Sequence, residues 1–132
     1  MERYESWFDR ARSSYELAKT TGNDFICYED LCYQIQQSVE KSLKGLLLFY
    51  EVEPDFTHNI EILINNLAKF TNIPDNIKES IKLTVYAVQT RYPGEYEEVT
   101  KEEYEESMKM AKDCLDWAEK KKKEKRKNDK SK

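Results

Sequence analysis

Apolar side chains recur at three- and four-residue steps along most of this sequence, and only three Gly and three Pro interrupt them. This spacing places apolar residues on one face of an α-helix, whereas a strand needs alternation at every second residue. The length of 132 residues is typical of one domain. The pattern therefore predicts an all-α fold, an up-and-down bundle of four long helices and a short fifth. These helices are expected to begin near Glu2, Phe25, Thr57, Asp75 and Thr100.

The second helix, residues 25–50, has the widest apolar face, which predicts that it lies at the centre of the bundle. Gly45 interrupts this helix and costs it about 1 kcal/mol relative to Ala. We expect that cost to be offset by the close approach of a neighbouring backbone. The fourth helix is expected to span residues 75–92, with Ile77, Ile81, Thr84 and Val88 pointing inward.

The last helix begins with Thr100 and Glu103, which form the pattern of a capping box. One apolar edge of this helix includes Tyr104 and Ala111. A second edge consists of Met110, Cys114 and Trp117. Two edges on one helix suggest two partners, the bundle itself and another subunit.

No stretch approaches the ~20 apolar residues that cross a bilayer, and residues 1–5 do not lead into a secretory signal. A cytoplasmic protein without membrane contact is therefore expected. Three cysteines without a CxxC pair and a single histidine, His58, supply too few ligands for a zinc site. The sequence predicts no metal and no cofactor.

The net charge of −4 is distributed unevenly. Residues 120–132 carry nine Lys or Arg and two Asp or Glu, whereas residues 1–119 carry 13 positive and 24 negative charges. We expect a helical bundle at 1–119 and a basic, disordered tail at 120–132. A solvated end that offsets the acidic body is favoured over a nucleic-acid contact, because a charge run alone carries no specificity.

A first candidate site lies on the second helix, where Gln37, Glu40, Lys41 and Lys44 share the face opposite the main apolar row. The simplest interpretation is a solvated face on which Glu40 and Lys44 form an ion pair four residues apart. Two apolar residues on the same face, Tyr33 and Leu48, suggest instead that a ligand or partner covers it.

His58 is a second candidate, at the start of the short helix that Thr57 is expected to cap. A lone histidine more often has a structural role than a catalytic one, since general-base catalysis also needs a substrate group placed by the fold. His58 is therefore taken as structural unless the fold brings Arg91 close to it.

Arg91 is the third candidate, because it continues the predicted inward row of the fourth helix. As a helix C-terminal residue it can bind free carbonyls, or it can pair with a carboxylate such as Glu40. In a cleft, its guanidinium can instead hold a phosphate through two hydrogen bonds. The residues alone leave both interpretations open.

Four features in this order resemble the HEPN family, the higher eukaryotes and prokaryotes nucleotide-binding domain. They are Trp7 on the first helix, the segment Gln36-Gln37 to Lys44, Thr57-His58, and Arg91-Tyr92-Pro93. The resemblance covers residues 4–119. It implies a helical bundle that forms a homodimer, with a cleft between the subunits, and it implies Arg91 and Tyr92 as ligand-binding residues beside Gln37, Glu40, Lys41 and Lys44.

Many HEPN relatives are ribonucleases that need no metal, and they are often encoded beside a minimal nucleotidyltransferase. Their motif is an arginine followed after four to six residues by a histidine. Arg91 matches the arginine, but Tyr96, Glu97 and Glu98 occupy the positions of the histidine. A tyrosine, with an ordinary pKa near 10, is a poor replacement for imidazole as a proton acceptor. Tyr96 also matches the tyrosine that the nucleotidyltransferase is thought to modify in related pairs.

The leading hypothesis is a dimeric HEPN-type protein that binds nucleotide or RNA phosphate through Arg91. Its expected partner is a minimal nucleotidyltransferase in a toxin–antitoxin-like pair. One alternative is a metal-independent endoribonuclease that uses Arg91 with His58, Tyr96 or a glutamate. The other is a non-catalytic protein–protein interaction module.

Overall fold

The computed structural model describes residues 3–87, 94 and 97–130, and the described residues contain helices and no strand. The all-α prediction is therefore confirmed. Every helix in the described part of the chain is too short or too polar to span a bilayer. The helices are α1 (Arg3–Ala18), α2 (Tyr28–Phe49), α3 (Ile60–Leu67), α4 (Asp75–Lys78) with a 3₁₀ helix (Glu79–Ala87), and α5 (Lys101–Lys130).

Helix α2 occupies the centre of the bundle, as its apolar face predicts. It packs against α1, α3, α5 and the 3₁₀ helix. Ile35, Val39, Leu43 and Leu46 on α2 have no exposed surface, and they join one core with residues from the surrounding helices. Burial of this set is the main favourable contribution to folding.

Gly45 lets α1 approach α2 closely, which confirms the expected reason for a glycine inside the helix. A Cβ atom at Gly45 would lie 3.1 Å from the Cβ of Trp7 and 3.4 Å from the carbonyl oxygen of Tyr4. The missing side chain therefore fixes the separation of the two helices at Trp7.

Helix α2 ends in a Schellman motif. The amide of Val52 donates to the carbonyl of Leu47, and the amide of Glu51 donates to that of Leu48, both at 2.9 Å. Glu51 has a φ of 66°, so a residue with a side chain occupies the left-handed position that glycine favours. This turn sets the direction of the connection between α2 and α3.

Helix α3 is capped by Asn59 and not by Thr57. The side-chain oxygen of Asn59 accepts a hydrogen bond from the amide of Glu61. Thr57 acts one step earlier, because its hydroxyl accepts from the amide of Asn59 at 3.0 Å. Two residues with capping side chains stand close together here, and the sequence-based prediction chose the first of them.

The fourth helix differs from the expected long α-helix. It is α-helical only over Asp75–Lys78 and continues as the 3₁₀ helix. A 3₁₀ helix has three residues per turn, so the buried row is Ile77, Ser80 and Leu83. The predicted row assumed the α-helical spacing, and Ile81 and Thr84 are only half-buried. The spacing that placed Arg91 on the inward face is therefore absent up to Ala87.

Helix α5 begins with the predicted capping box. The amide of Glu103 donates to the Thr100 hydroxyl at 3.1 Å, and the amide of Thr100 donates to the Glu103 carboxylate at 3.2 Å. Cys114 and Trp117, from the predicted second apolar edge, are buried in the core of the same chain. The prediction that this edge contacts another subunit is wrong for these two residues, because the bundle surrounds α5 on a wider arc than expected.

The helical backbone of α5 continues to Lys130, into the segment expected to be disordered. Glu119 pairs with Lys122, and Glu124 pairs with Lys120 and Lys121. Such pairs three or four residues apart favour continuation of a helix. The division of the chain at residue 119 stays a prediction.

Candidate functional site

A pocket of about 570 Å³ lies between α1, α2 and the connection to α3. We call it the α1–α2 pocket. It brings together five of the residues that the sequence singled out, which come from the middle of α2 and from the connection. The lining residues are Arg3, Ser6, Trp7, Arg10, Gln37, Glu40, Lys41, Lys44, Phe56 and His58.

Glu40 is the buried centre of a hydrogen-bond network beside this pocket. Its carboxylate accepts from Gln36 Nε2 at 3.0 Å, from Lys44 Nζ at 3.0 Å and from His58 Nδ1 at 2.9 Å. The side chains of Glu40 and Lys44 are only 4% and 10% exposed. A buried carboxylate is tolerable with so many donors, because they replace the hydrogen bonds of water.

The predicted ion pair between Glu40 and Lys44 is present, but the face that carries it is not solvated. Helix α1 covers this face, with Lys44 Nζ 5.7 Å from the centre of the Trp7 ring. The sequence suggested that a ligand or partner covers this face. In the structure, α1 of the same chain covers it. The pocket is the part of the face that α1 leaves open.

His58 is held from two sides and still faces solvent. Its Nδ1 atom bonds to Glu40, and its backbone carbonyl accepts from Gln36 Nε2 at 3.1 Å. Since a carboxylate only accepts, Nδ1 is the donor in this hydrogen bond, which leaves Nε2 as the ring nitrogen that can act as an acceptor. The side chain is 69% exposed. His58 is therefore an oriented imidazole at the edge of the pocket.

Lys41 differs from Lys44 because no carboxylate of the described residues forms an ion pair with its ammonium group. Its Nζ atom donates to the hydroxyl of Ser14 at 2.9 Å. Burial lowers the pKa of Lys41, and the neighbouring Arg10 lowers it further, while Glu40 acts in the opposite direction. An anion placed in the pocket would offset both unfavourable effects.

Arg3 and Arg10 add two guanidinium groups from α1. Arg3 forms two hydrogen bonds with Glu53, at 2.8 and 2.9 Å. Arg10 forms no ion pair with any residue that the structure describes. The pocket is thus lined by four cations and one carboxylate, on a chain whose net charge is −4.

A second cavity shows the opposite charge balance. It has a volume of about 510 Å³ and lies between α1 and α5. Four carboxylates and three cations line it: Glu5, Asp9, Asp116 and Glu119 with Arg12, Lys122 and Lys123. Since a phosphate group would be repelled by the carboxylates, the α1–α2 pocket is the better candidate for an anionic ligand.

Three of the predicted site residues, Arg91, Tyr92 and Tyr96, lie outside the described residues. Conversely, sequence reasoning did not select Arg10 or Phe56 as site residues. Arg10 follows the same helical face as Arg3 and Trp7, which was the only local signal for it. Phe56 stands in a connection, where no periodic pattern applies. Among the described residues, no group of three His, Cys, Asp or Glu side chains is close enough to hold a metal ion.

The arrangement defines an all-helical bundle with a cationic pocket beside its central helix. The sequence model of the HEPN domain family matches residues 4–122 of this chain. The chain therefore belongs to that family. No curated protein matches the sequence.

Two solved structures share the fold over nearly their whole length. An archaeal HEPN homologue, ST0689, is 29% identical with a TM-score of 0.72. TT1696 from Thermus thermophilus is 29% identical with a TM-score of 0.78. Each comparison covers 92% of this chain and 99% of the other. The predicted membership and fold are thereby confirmed.

Proposed function

We propose that this HEPN-family protein binds the phosphate group of a nucleotide or of RNA in the α1–α2 pocket. The observation that supports this most directly is the pair of cations, Arg10 and Lys41, which have no carboxylate partner among the described residues. Arg10 can form two parallel hydrogen bonds with phosphate oxygens, and Lys41 can supply a point charge.

Two substitutions and a matched control test this proposal. Arg10→Gln and Lys41→Gln each remove one positive charge from the pocket and keep a polar side chain. Arg12→Gln removes a charge from the same helix, but Arg12 pairs with Glu16 outside the pocket. The measurement is the dissociation constant for AMP and for a short RNA, by calorimetry at low salt.

We expect each pocket variant to bind about 10- to 150-fold more weakly, since a charge-assisted hydrogen bond contributes about 1.5–3 kcal/mol. The Arg12 variant should bind like the wild type. The affinity for RNA should also fall with rising salt, as counterion release requires. Equal binding by the pocket variants and the wild type would refute the proposal.

Family membership supports three further parts of the proposal. Arg91 and Tyr92 are proposed to add ligand contacts, for which Arg91→Ala is the corresponding variant. The chain is proposed to form a homodimer, which sedimentation can measure. A minimal nucleotidyltransferase is the proposed partner in a toxin–antitoxin-like pair, and Tyr96→Phe would remove the hydroxyl that such an enzyme could modify.

A second candidate function, a metal-independent endoribonuclease, is favoured by the hydrogen bond between His58 and Glu40. The oriented Nε2 atom can take the proton from a ribose 2′-hydroxyl, and the 2′-oxygen then attacks phosphorus. The bond between phosphorus and the 5′-oxygen breaks, and the ammonium group of Lys41 can protonate the leaving oxygen. The products are a 2′,3′-cyclic phosphate and a 5′-hydroxyl.

Incubation of structured RNA with the protein in EDTA separates the two functions. If the protein is a ribonuclease, the wild type should cleave, and His58→Ala should lose at least ~100-fold in rate, the usual contribution of a general base. Binding without cleavage supports the first function alone. If the protein neither binds nor cleaves RNA, the remaining candidate is the non-catalytic protein–protein interaction module.

A further inference from the structure

Phe56 projects fully into solvent at the rim of the α1–α2 pocket. The residue is fully exposed to solvent, and its exposed fraction is the highest among the large apolar residues of the described chain. Single exposed apolar residues are common on protein surfaces. Phe56 is unusual because it lines a pocket that also holds four cationic side chains and only one carboxylate.

The segment that carries Phe56 is anchored on both sides. Before it, the carboxylate of Asp55 accepts a hydrogen bond from Asn66 of α3 at 3.1 Å. After it, the carbonyl of His58 accepts from Gln36 of α2 at 3.1 Å. The Schellman turn at the end of α2 fixes where the connection starts. The backbone thus presents the ring outward from a defined position.

We propose that Phe56 is the stacking surface for the base of a nucleotide whose phosphate Arg10 and Lys41 hold. The inference rests on the proposed phosphate binding and adds the residue that contacts the base of the bound nucleotide. An aromatic ring beside cations is the usual arrangement for binding single-stranded nucleic acid, because every base has a flat face that stacks. Such stacking is tolerant of base identity.

The size of the pocket agrees with this ligand class. A volume of about 570 Å³ lies within the range of ~300–1,000 Å³ that is typical of sites for drug-sized ligands. A phosphate ion alone would occupy a small part of it. The competing explanation is that Phe56 packs against a second copy of the chain, since exposed apolar groups also mark interfaces.

The test compares AMP with ribose 5-phosphate, which has the same phosphate and sugar but no base. Three variants are measured: Phe56→Ala, Phe56→Tyr and the control Phe25→Ala. Phe25 is also almost fully exposed, at 96%, and it lies outside the pocket. Because both phenylalanines are exposed, their loss should leave folding intact.

Phe56→Ala should bind AMP about tenfold more weakly, as expected for loss of one stacked base, and should bind ribose 5-phosphate within twofold of the wild type. Phe56→Tyr and Phe25→Ala should bind AMP like the wild type. If Lys41→Gln weakens both ligands while Phe56→Ala weakens neither, the inference is wrong and the phosphate site stands. If Lys41→Gln also has no effect, the proposed function falls as well. A lower sedimentation coefficient for Phe56→Ala with unchanged AMP affinity would assign Phe56 to a subunit interface and overturn the inference.

Discussion

Loss of the Glu40 carboxylate should destabilise this protein far more than loss of any exposed carboxylate. In Glu40→Ala, the ammonium group of Lys44 would stay almost buried, at 10% exposure, without its counter-ion. Breaking a buried ion pair in this way costs about 3–5 kcal/mol. The contact between Lys44 and the Trp7 ring is present with or without Glu40, so it does not reduce this cost. We therefore expect a loss of about 3–5 kcal/mol in the free energy of unfolding.

The matched control is Asp116→Ala, because Asp116 pairs with Lys112 at the same four-residue spacing but with both side chains about 65% exposed. That pair should contribute little to stability, because solvent screens the attraction between exposed charges. Urea denaturation followed by circular dichroism gives both values, provided that the slope against denaturant stays unchanged.

A double variant tests whether the unpaired buried charge of Lys44 causes the loss of stability in Glu40→Ala. In Glu40→Ala/Lys44→Met no buried charge is left unpaired, so it should recover much of the stability lost by Glu40→Ala. The account of the network would be refuted if Glu40→Ala cost no more than Asp116→Ala. It would also be refuted if the double variant were as unstable as Glu40→Ala.

Three further predictions concern the fold. Gly45→Ala should lower the free energy of unfolding by about 1 kcal/mol, because overpacking against Trp7 exceeds the gain in helix propensity; an increase measured by urea denaturation would contradict the close approach of α1. Glu51→Gly should raise the free energy of unfolding by about 0.5–1 kcal/mol, since the φ of 66° is unstrained for glycine. An unchanged midpoint of urea denaturation would show that the backbone at Glu51 is not strained. Burial raises the pKa of Cys114 from 9.0 to about 12, so above pH 9 the unfolded state loses the thiol proton while the folded state keeps it, and stability falls with pH. Relative to Cys114→Ala, the wild type should lose about 1 kcal/mol per pH unit between pH 9 and 10.5, and parallel curves would contradict the burial of this thiol.

The local features of the fold could be predicted because their signals are local. The capping box at Thr100 and Glu103 uses two side chains three residues apart. The central position of α2 follows from the width of its apolar face. Each of these features can be predicted without knowing which residues far apart in the sequence contact one another.

The remaining features depend on tertiary packing. The sequence predicts that Glu40 and Lys44 pair, but their burial depends on where α1 lies. The 3₁₀ helix after Lys78 could not be predicted, since the choice between three- and four-residue hydrogen bonding depends on the surrounding packing. The hydrogen bond between His58 and Glu40 depends on the path of the α2–α3 connection. That path cannot be predicted from a periodic pattern, because the connection has none.

The most direct test of the central claim uses the two tryptophans of the chain. Trp7 lines the α1–α2 pocket, whereas Trp117 is buried in the core. In ¹⁵N-labelled protein, each indole N–H gives its own resonance during a titration with AMP. The account predicts that the Trp7 resonance moves and saturates while that of Trp117 stays fixed, and that Lys41→Gln suppresses the movement. A Trp7 resonance that does not move at millimolar AMP would contradict the assignment of this pocket as the nucleotide site.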